Sequence, residues 1–171
     1  MPDDSILDKA FIDQILSTAK HNLERDGRLY PVLFVKFGEG AIVPCSIELP
    51  ATTEEKRAYL ASVGWSMRCE GKVVREALLL AEGWFVKVRT GTIDLMMRPS
   101  QHPLRREAIT IMGRDASGTH TSTVVQAFGR DSVDKPVWTE PVVASYNEPV
   151  GLGYQPVGLL DCLFDTAIDG R

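Results

Sequence analysis

Apolar residues recur at three- and four-residue intervals near the start of the chain, between residues 5 and 23. This spacing is typical of a helix that buries one stripe of its surface. We therefore predict a first helix over this stretch, with Asp26 and Gly27 as its stop. A second helix is predicted from the capping box Thr-Thr-Glu-Glu, which begins at Thr52, to about Glu70.

Several shorter segments have the apolar or alternating patterns of strands. Residues 30–37 are apolar on both faces and rich in branched and aromatic side chains, which predicts a strand covered on both sides. Residues 41–49 alternate and contain Pro44, which cannot donate a ladder hydrogen bond, so we expect this strand at a sheet edge or at a bulge. Polar turns divide the final third of the chain into three further predicted strands, at 106–113, 119–128 and 135–143.

The segment 73–88 is compatible with two structures. Its middle consists of strong helix formers, whereas its Val-Val start and Trp-Phe-Val finish favour a strand, and a short apolar run is not decided by periodicity alone. We predict a strand, with a helix over residues 76–86 as the alternative. A long irregular connection follows through Pro99 and Pro103, and such loops in compact domains are typically functional or disordered.

The order of these elements predicts an α+β domain. We expect a mainly antiparallel sheet of about five to six strands with two helices packed on one face. A chain of 171 residues is long enough for one sizeable core, which we assign to residues 1–145. Residues 146–171 are expected to form a loop-rich tail that packs on the domain or on a partner subunit, because its apolar piece from Leu159 to Phe164 must be buried.

Charge and composition narrow the class of function. The net charge of −4 argues against a dedicated nucleic-acid or membrane-surface protein. No apolar run approaches the roughly 20 residues that span a bilayer, and the start MPDDSILDKAF is acidic where a secretory signal would be basic and then apolar. We therefore expect a cytoplasmic protein that binds neither membrane nor nucleic acid. The three cysteines are far apart, which predicts reduced thiols.

No complete catalytic or metal-binding motif is present in the sequence. HExxH, HxH, GxSxG and paired cysteines are all absent, so we predict no catalytic residues, no metal and no cofactor. Positive charge is nevertheless concentrated locally, because the segment 67–114 holds nine Lys and Arg against five Asp and Glu. Any site for an anion is expected in this segment.

The loop at 98–107 holds the candidate chemistry. Arginine forks match phosphate and carboxylate groups, and a histidine has a reference pKa of about 6.5, which suits proton transfer. If the strand at 73–88 is a neighbour of the strand that starts near residue 106, an acidic and an aromatic side chain lie at the same sheet end. That arrangement is either a structural ion pair or the floor of a small anion site. The candidate anion-binding residues are therefore His102, Arg105, Arg106, Glu82 and Trp84.

Five segments together resemble a loosely defined group of small uncharacterised bacterial proteins. They are the first helix, the PVLFV strand, the TEEKRAYL helix start, the EALLLAEGWFV strand and the PSQHPLRREAITI loop and strand. The resemblance covers roughly residues 5 to 145. It implies that the loop and its strand form one unit, and it implies no activity.

Two functional hypotheses follow. The first is a non-catalytic binding or oligomeric module, with a homo-oligomer formed through the open sheet edge and the apolar tail. The alternative is an enzyme acting on an anionic, phosphate- or carboxylate-bearing substrate through the loop at 98–107. In that enzyme Arg105 and Arg106 would hold the anion, and His102 or Glu82 would move protons.

Overall fold

One antiparallel sheet organises the molecule. The computed structural model describes residues 5–86, 101–150 and 158–166. The helices are α1 (Lys9–Asp26), α2 (Thr53–Cys69) and the short 3-10 helix η1 (Leu159–Phe164). The strands are β1 (Val32–Phe37), β2 (Ile42–Ser46), β3 (Val74–Phe85), β4 (Arg106–Asp115), β5 (His120–Arg130), β6 (Pro136–Trp138) and β7 (Val143–Pro149). Their order is β2-β1-β3-β4-β5-β6, and β7 pairs with a different part of β5. The predicted α+β class with a mainly antiparallel sheet is confirmed.

Strand β3 lies near the centre of the sheet and forms most of the segment 73–88, for which the sequence allowed either a strand or a helix. It extends over 12 residues and pairs with both β1 and β4, so the helical alternative over residues 76–86 is wrong. Successive side chains of a strand point to opposite faces. Leu78 and Leu80 therefore lie on one face, and Ala77 and Leu79 on the other, and all four are buried.

The two faces of the sheet carry separate cores. On one face α1 packs against Leu78 of β3, Ile111 of β4 and Phe128 of β5. On the other face α2 and η1 pack against Leu33 of β1 and Leu79 of β3. The expectation that both helices pack on one face is therefore corrected, because a strand that is apolar on both faces needs cover on both.

The helix ends and the contact between α2 and η1 have local causes. Gly27 takes a left-handed φ of 73° and donates its N–H to Leu23, which ends α1 as predicted. The capping box between Thr52 and Glu55 is formed at the start of α2. Gly64 in α2 lies so close to η1 that a Cβ there would overlap the carbonyl oxygen of Leu163.

The predicted strand at 135–143 is divided in the structure. β6 pairs with the end of β5, and β7 pairs with its first half. β7 was not expected, because its Ser-Tyr-Asn-Glu stretch lacks an apolar period. This strand crosses the predicted domain boundary at residue 145. No helix within the described ranges is long and apolar enough to cross a membrane.

Candidate binding site

The neighbouring strands β3 and β4 bring predicted site residues to one end of the sheet. Trp84 is opposite Glu107, and Glu82 is opposite Ile109. Alternation along the strands places Glu82, Trp84 and Glu107 on the face that α1 covers. The expected approach of Glu82 to a guanidinium at this sheet end therefore has the required backbone geometry.

The guanidinium that approaches Glu82 belongs to Arg130 of β5, a residue that the sequence did not single out. Its Nε lies 3.0 Å from Oε2 of Glu107, and its Nη2 lies 3.2 Å from Oε1 of the same carboxylate. Its Nη2 also lies 3.7 Å from Oε1 of Glu82. The hydrogen bonds from Arg130 to Glu107 raise the pKa of Arg130 above its usual value, because they favour its charged form. We call Glu82, Glu107 and Arg130 the sheet-end cluster.

The other predicted residues are arranged around this cluster without joining it. The Arg105 guanidinium lies 5.0 Å from the centre of the Trp84 ring, in a cation–π contact. Alternation places Arg106 on the opposite face of the sheet from Glu107. The ring Nδ1 of His102 accepts a hydrogen bond of 3.0 Å from the backbone N–H of Leu104. Residues 98–100 of the predicted loop lie outside the described residues.

The sheet-end cluster holds the connection between α1 and β1, residues 27–31. Nη2 of Arg130 donates to the carbonyl of Gly27 at 3.4 Å. The backbone N–H of Leu29 donates to Oε2 of Glu82 at 3.1 Å. The cluster thus fixes a segment whose other side lines a groove.

This groove lies between α1 and the strands β1 and β2 and has a volume of about 560 Å³. The groove exists because α1 packs over β3, β4 and β5 and leaves the same face of the sheet uncovered at β1 and β2. Its floor is apolar, and one wall is a row of polar residues on α1. The floor includes Phe11, Ile15, Phe34, Pro44 and Leu80, and the polar wall consists of Gln14, Thr18 and Asn22.

The charges at the mouth of the groove are unequal. Arg25 donates two hydrogen bonds, of 2.7 and 2.6 Å, to the carboxylate of Asp26. These bonds hold the pKa of Asp26 below its usual value, since they favour the ionised form. Arg28 lies with its guanidinium 4.7 Å from the centre of the Tyr30 ring, and its positive charge adds to the lowering of the Asp26 pKa. The described residues at the mouth therefore carry two guanidiniums and one carboxylate, which is a net charge of +1.

The described lining of the groove has few acidic or nucleophilic side chains. Among the described residues that line it there is no His, Cys, Lys or Glu, and the one carboxylate, Asp26, is already paired with Arg25. Within the described ranges no three His, Cys, Asp or Glu residues come together as a metal site. In comparisons with known proteins, no family, no curated protein and no solved structure matches the chain.

Proposed function

We propose that this chain is a non-catalytic binding module whose ligand occupies the groove between α1 and the strands β1 and β2. The observation that carries the proposal is the construction of the groove. It combines an apolar floor, a polar wall and a rim that the sheet-end cluster fixes in place. A preformed concave site with few polar groups is the usual design of a small-molecule site.

The size of the groove favours a small ligand. Its volume of about 560 Å³ falls inside the range of roughly 300–1,000 Å³ that is typical of small-molecule pockets. The polar wall runs from Gln14 to Asn22, eight steps along the helix, which is about 12 Å at a rise of 1.5 Å per residue. A ligand of that length could lie along the whole groove.

The neighbouring sheet edge is poorly suited to bind a peptide strand. The N–H of Phe37 donates a hydrogen bond of 2.9 Å to the carbonyl of Ala41, so these two residues are a hydrogen-bonded pair. Hydrogen-bonded and non-hydrogen-bonded pairs then alternate along the β1–β2 ladder. By that alternation Pro44, which is opposite Phe34, directs its backbone away from β1. Because proline has no N–H, the centre of the exposed edge lacks a donor for an added strand.

A homo-oligomer remains a second candidate for the same class of function. The exposed side chains of Ile42 and Val43 on the edge strand β2 favour it. The apolar tail gives it less support than expected, because Leu160 and Leu163 are buried against α2 of the same chain. Sedimentation at micromolar concentration tests this candidate, and a strict monomer would remove it. A cytoplasmic location is part of both proposals.

The enzyme alternative has weaker support. It requires Glu82 or His102 to move protons, but Glu82 faces Arg130, and the ring Nδ1 of His102 accepts a backbone hydrogen bond. It also requires Arg105 and Arg106 to act together, whereas Arg105 contacts the Trp84 ring and alternation along β4 directs Arg106 to the opposite face of the sheet.

Blocking the groove tests the proposed function. Thr18→Trp places a large ring in the groove wall, and Ser17→Trp places the same ring on an exposed helix position outside the lining. We expect a panel of small apolar acids and alcohols to raise the melting temperature of the wild type and of Ser17→Trp. Thr18→Trp should lose these shifts while keeping its circular dichroism spectrum. The proposal is overturned if no compound shifts the wild type, or if Thr18→Trp responds like the wild type.

A further inference from the structure

We infer that the ligand of the groove is a small amphipathic monocarboxylate, whose carboxylate pairs with Arg28 and whose apolar body lies along the floor. This inference rests on the proposed function and specifies the chemical class of its ligand. Three features of the groove support it: the floor, the charge at the mouth and the number of unpaired guanidiniums.

The floor selects an apolar body. Ile15 and Leu80 belong to the buried core on the α1 face, and the partly buried rings of Phe11 and Phe34 pack against that core and against each other. A ligand that covers the exposed parts of these two rings removes apolar surface from water on both partners, which is favourable at roughly 25 cal/mol per Å². A fully polar ligand would gain nothing from this surface.

The mouth selects a negative charge. Arg25 and Asp26 neutralise each other, so Arg28 provides the surplus. The carbonyl end of α1 carries a partial charge of about −0.5, which offsets Arg28 only in part. A carboxylate at this position would restore neutrality and would form charge-assisted hydrogen bonds to the guanidinium.

The number of guanidiniums selects a monoanion. Sites for phosphate groups typically use several donors or a cluster of arginines. Among the described residues of the lining, Arg25 and Arg28 share the single carboxylate of Asp26, which leaves a surplus of one positive charge. The side-chain amides of Gln14 and Asn22 make no hydrogen bond within the described part of the chain. They are therefore available to a hydroxyl or carbonyl group on the ligand.

A free small molecule fits these features better than the C-terminus of a peptide. A peptide brings a row of backbone donors and acceptors that need partners when they are buried. The adjacent edge strand cannot supply a regular set, because Pro44 interrupts it. We therefore assign the site to a free carboxylic acid with an aliphatic or aromatic body.

Calorimetric titration with matched ligands tests the inference. Octanoate and octanol have the same chain and differ in charge, and both are used below the concentration at which octanoate forms micelles. We expect wild-type protein to bind octanoate about tenfold more tightly than octanol, which corresponds to about 1.4 kcal/mol. Arg28→Gln should lose this preference and keep the binding of octanol. Arg57→Gln, which removes one charge from an exposed position of α2, is the matched control and should keep the preference.

The other outcomes are distinguishable. Equal binding of octanoate and octanol to the wild type, or a preference that survives in Arg28→Gln, would overturn the carboxylate inference and leave the groove as a binding site. Tighter binding of a peptide carboxylate than of octanoate would overturn the assignment to a free acid. Binding of neither ligand, together with a dimer that Thr18→Trp converts to a monomer, would contradict the proposed function itself.

Discussion

Arg130 is the residue on which both the sheet end and the groove depend. Its side chain is 19% exposed and contacts three carboxylates, those of Glu107, Glu82 and Asp134. The same guanidinium donates to the carbonyl of Gly27, in the connection that borders the groove. A partly buried charge with several partners contributes more to stability than an exposed pair, because losing it leaves its partners without compensation.

Arg130→Gln should therefore lower the free energy of unfolding by about 2 kcal/mol. Arg105→Gln removes only an exposed contact with the Trp84 ring and should cost less than about 0.5 kcal/mol. Urea unfolding of both variants beside the wild type measures the difference. Equal losses in the two variants would contradict this prediction, because Arg130 would then contribute no more to this sheet end than Arg105.

The difference between these two arginines shows where residue-level prediction ends. The sequence predicts a carboxylate, Glu82, beside a guanidinium, because adjacent strands are expected to bring such groups together. It does not identify Arg130, since that choice depends on the register between β4 and β5, which pairs Glu107 with Phe128. Register is set by the packing of the whole sheet. The sequence did not predict the groove either, because the groove forms between a helix and two strands and depends on how these elements pack.

At the scale of elements, the contact between α2 and η1 depends on a glycine. Gly64 has the low helix propensity that makes glycine unfavourable in a helix interior, by about 1 kcal/mol relative to alanine. The close approach of Leu163 accounts for its presence. Arg68 strengthens the same contact by donating to the carbonyls of Leu163 and Asp165.

Gly64→Ala should lower the free energy of unfolding by about 1–2 kcal/mol, although alanine favours the helix. The added methyl group must displace the backbone of η1, whose Leu160 and Leu163 are part of the core. Gly129→Ala is the control, because no atom lies within 4 Å of a Cβ at that position. Thermal unfolding compares the two. An unchanged or higher melting temperature for Gly64→Ala would mean that η1 is not held as the structure describes.

The edge strand β2 gives a second prediction at this scale. Pro44→Val restores a backbone N–H that points away from β1, so an added strand could pair along the whole edge. We expect this variant to self-associate at concentrations at which the wild type does not change its state. Val43→Thr is the control, because the backbone of residue 43 already faces β1. Sedimentation velocity over a concentration series measures the effect, and identical profiles for wild type and Pro44→Val would contradict it.

The elements themselves were predictable where burial leaves a pattern in the sequence. Both long helices have amphipathic spacing and recognisable ends. The branched and aromatic residues at the two ends of β3 indicate a strand. β7 leaves no such pattern, since most of its side chains are exposed and its strand form depends on pairing with β5. Pairing of that kind is a long-range property.

At the scale of the whole molecule, the sheet is a shared layer between two cores. The α1 core and the α2 core have no residue in common, yet both use β1, β3 and β4. β1 departs from the prediction that residues 30–37 are covered on both sides, because Val32 and Phe34 line the open groove. β3 has apolar side chains on both faces and needs cover on both. One helix for each face satisfies that requirement, whereas two helices on one face do not.

A shared sheet predicts that the two cores unfold together. Ile12→Val removes one methylene from the α1 core, and Ile47→Val makes the same change in the α2 core. Each variant should lower the free energy of unfolding by about 0.5–1.5 kcal/mol, and the double variant should lose the sum, because the two sites have no shared contact.

Two probes measure whether the cores unfold together. Tryptophan fluorescence contains the signal of Trp138, which packs on the α1 core, whereas far-ultraviolet circular dichroism reports all elements. Both probes should give one midpoint in urea for every variant. Separate midpoints, or a variant that moves only one probe, would mean that each helix stabilises its own face independently.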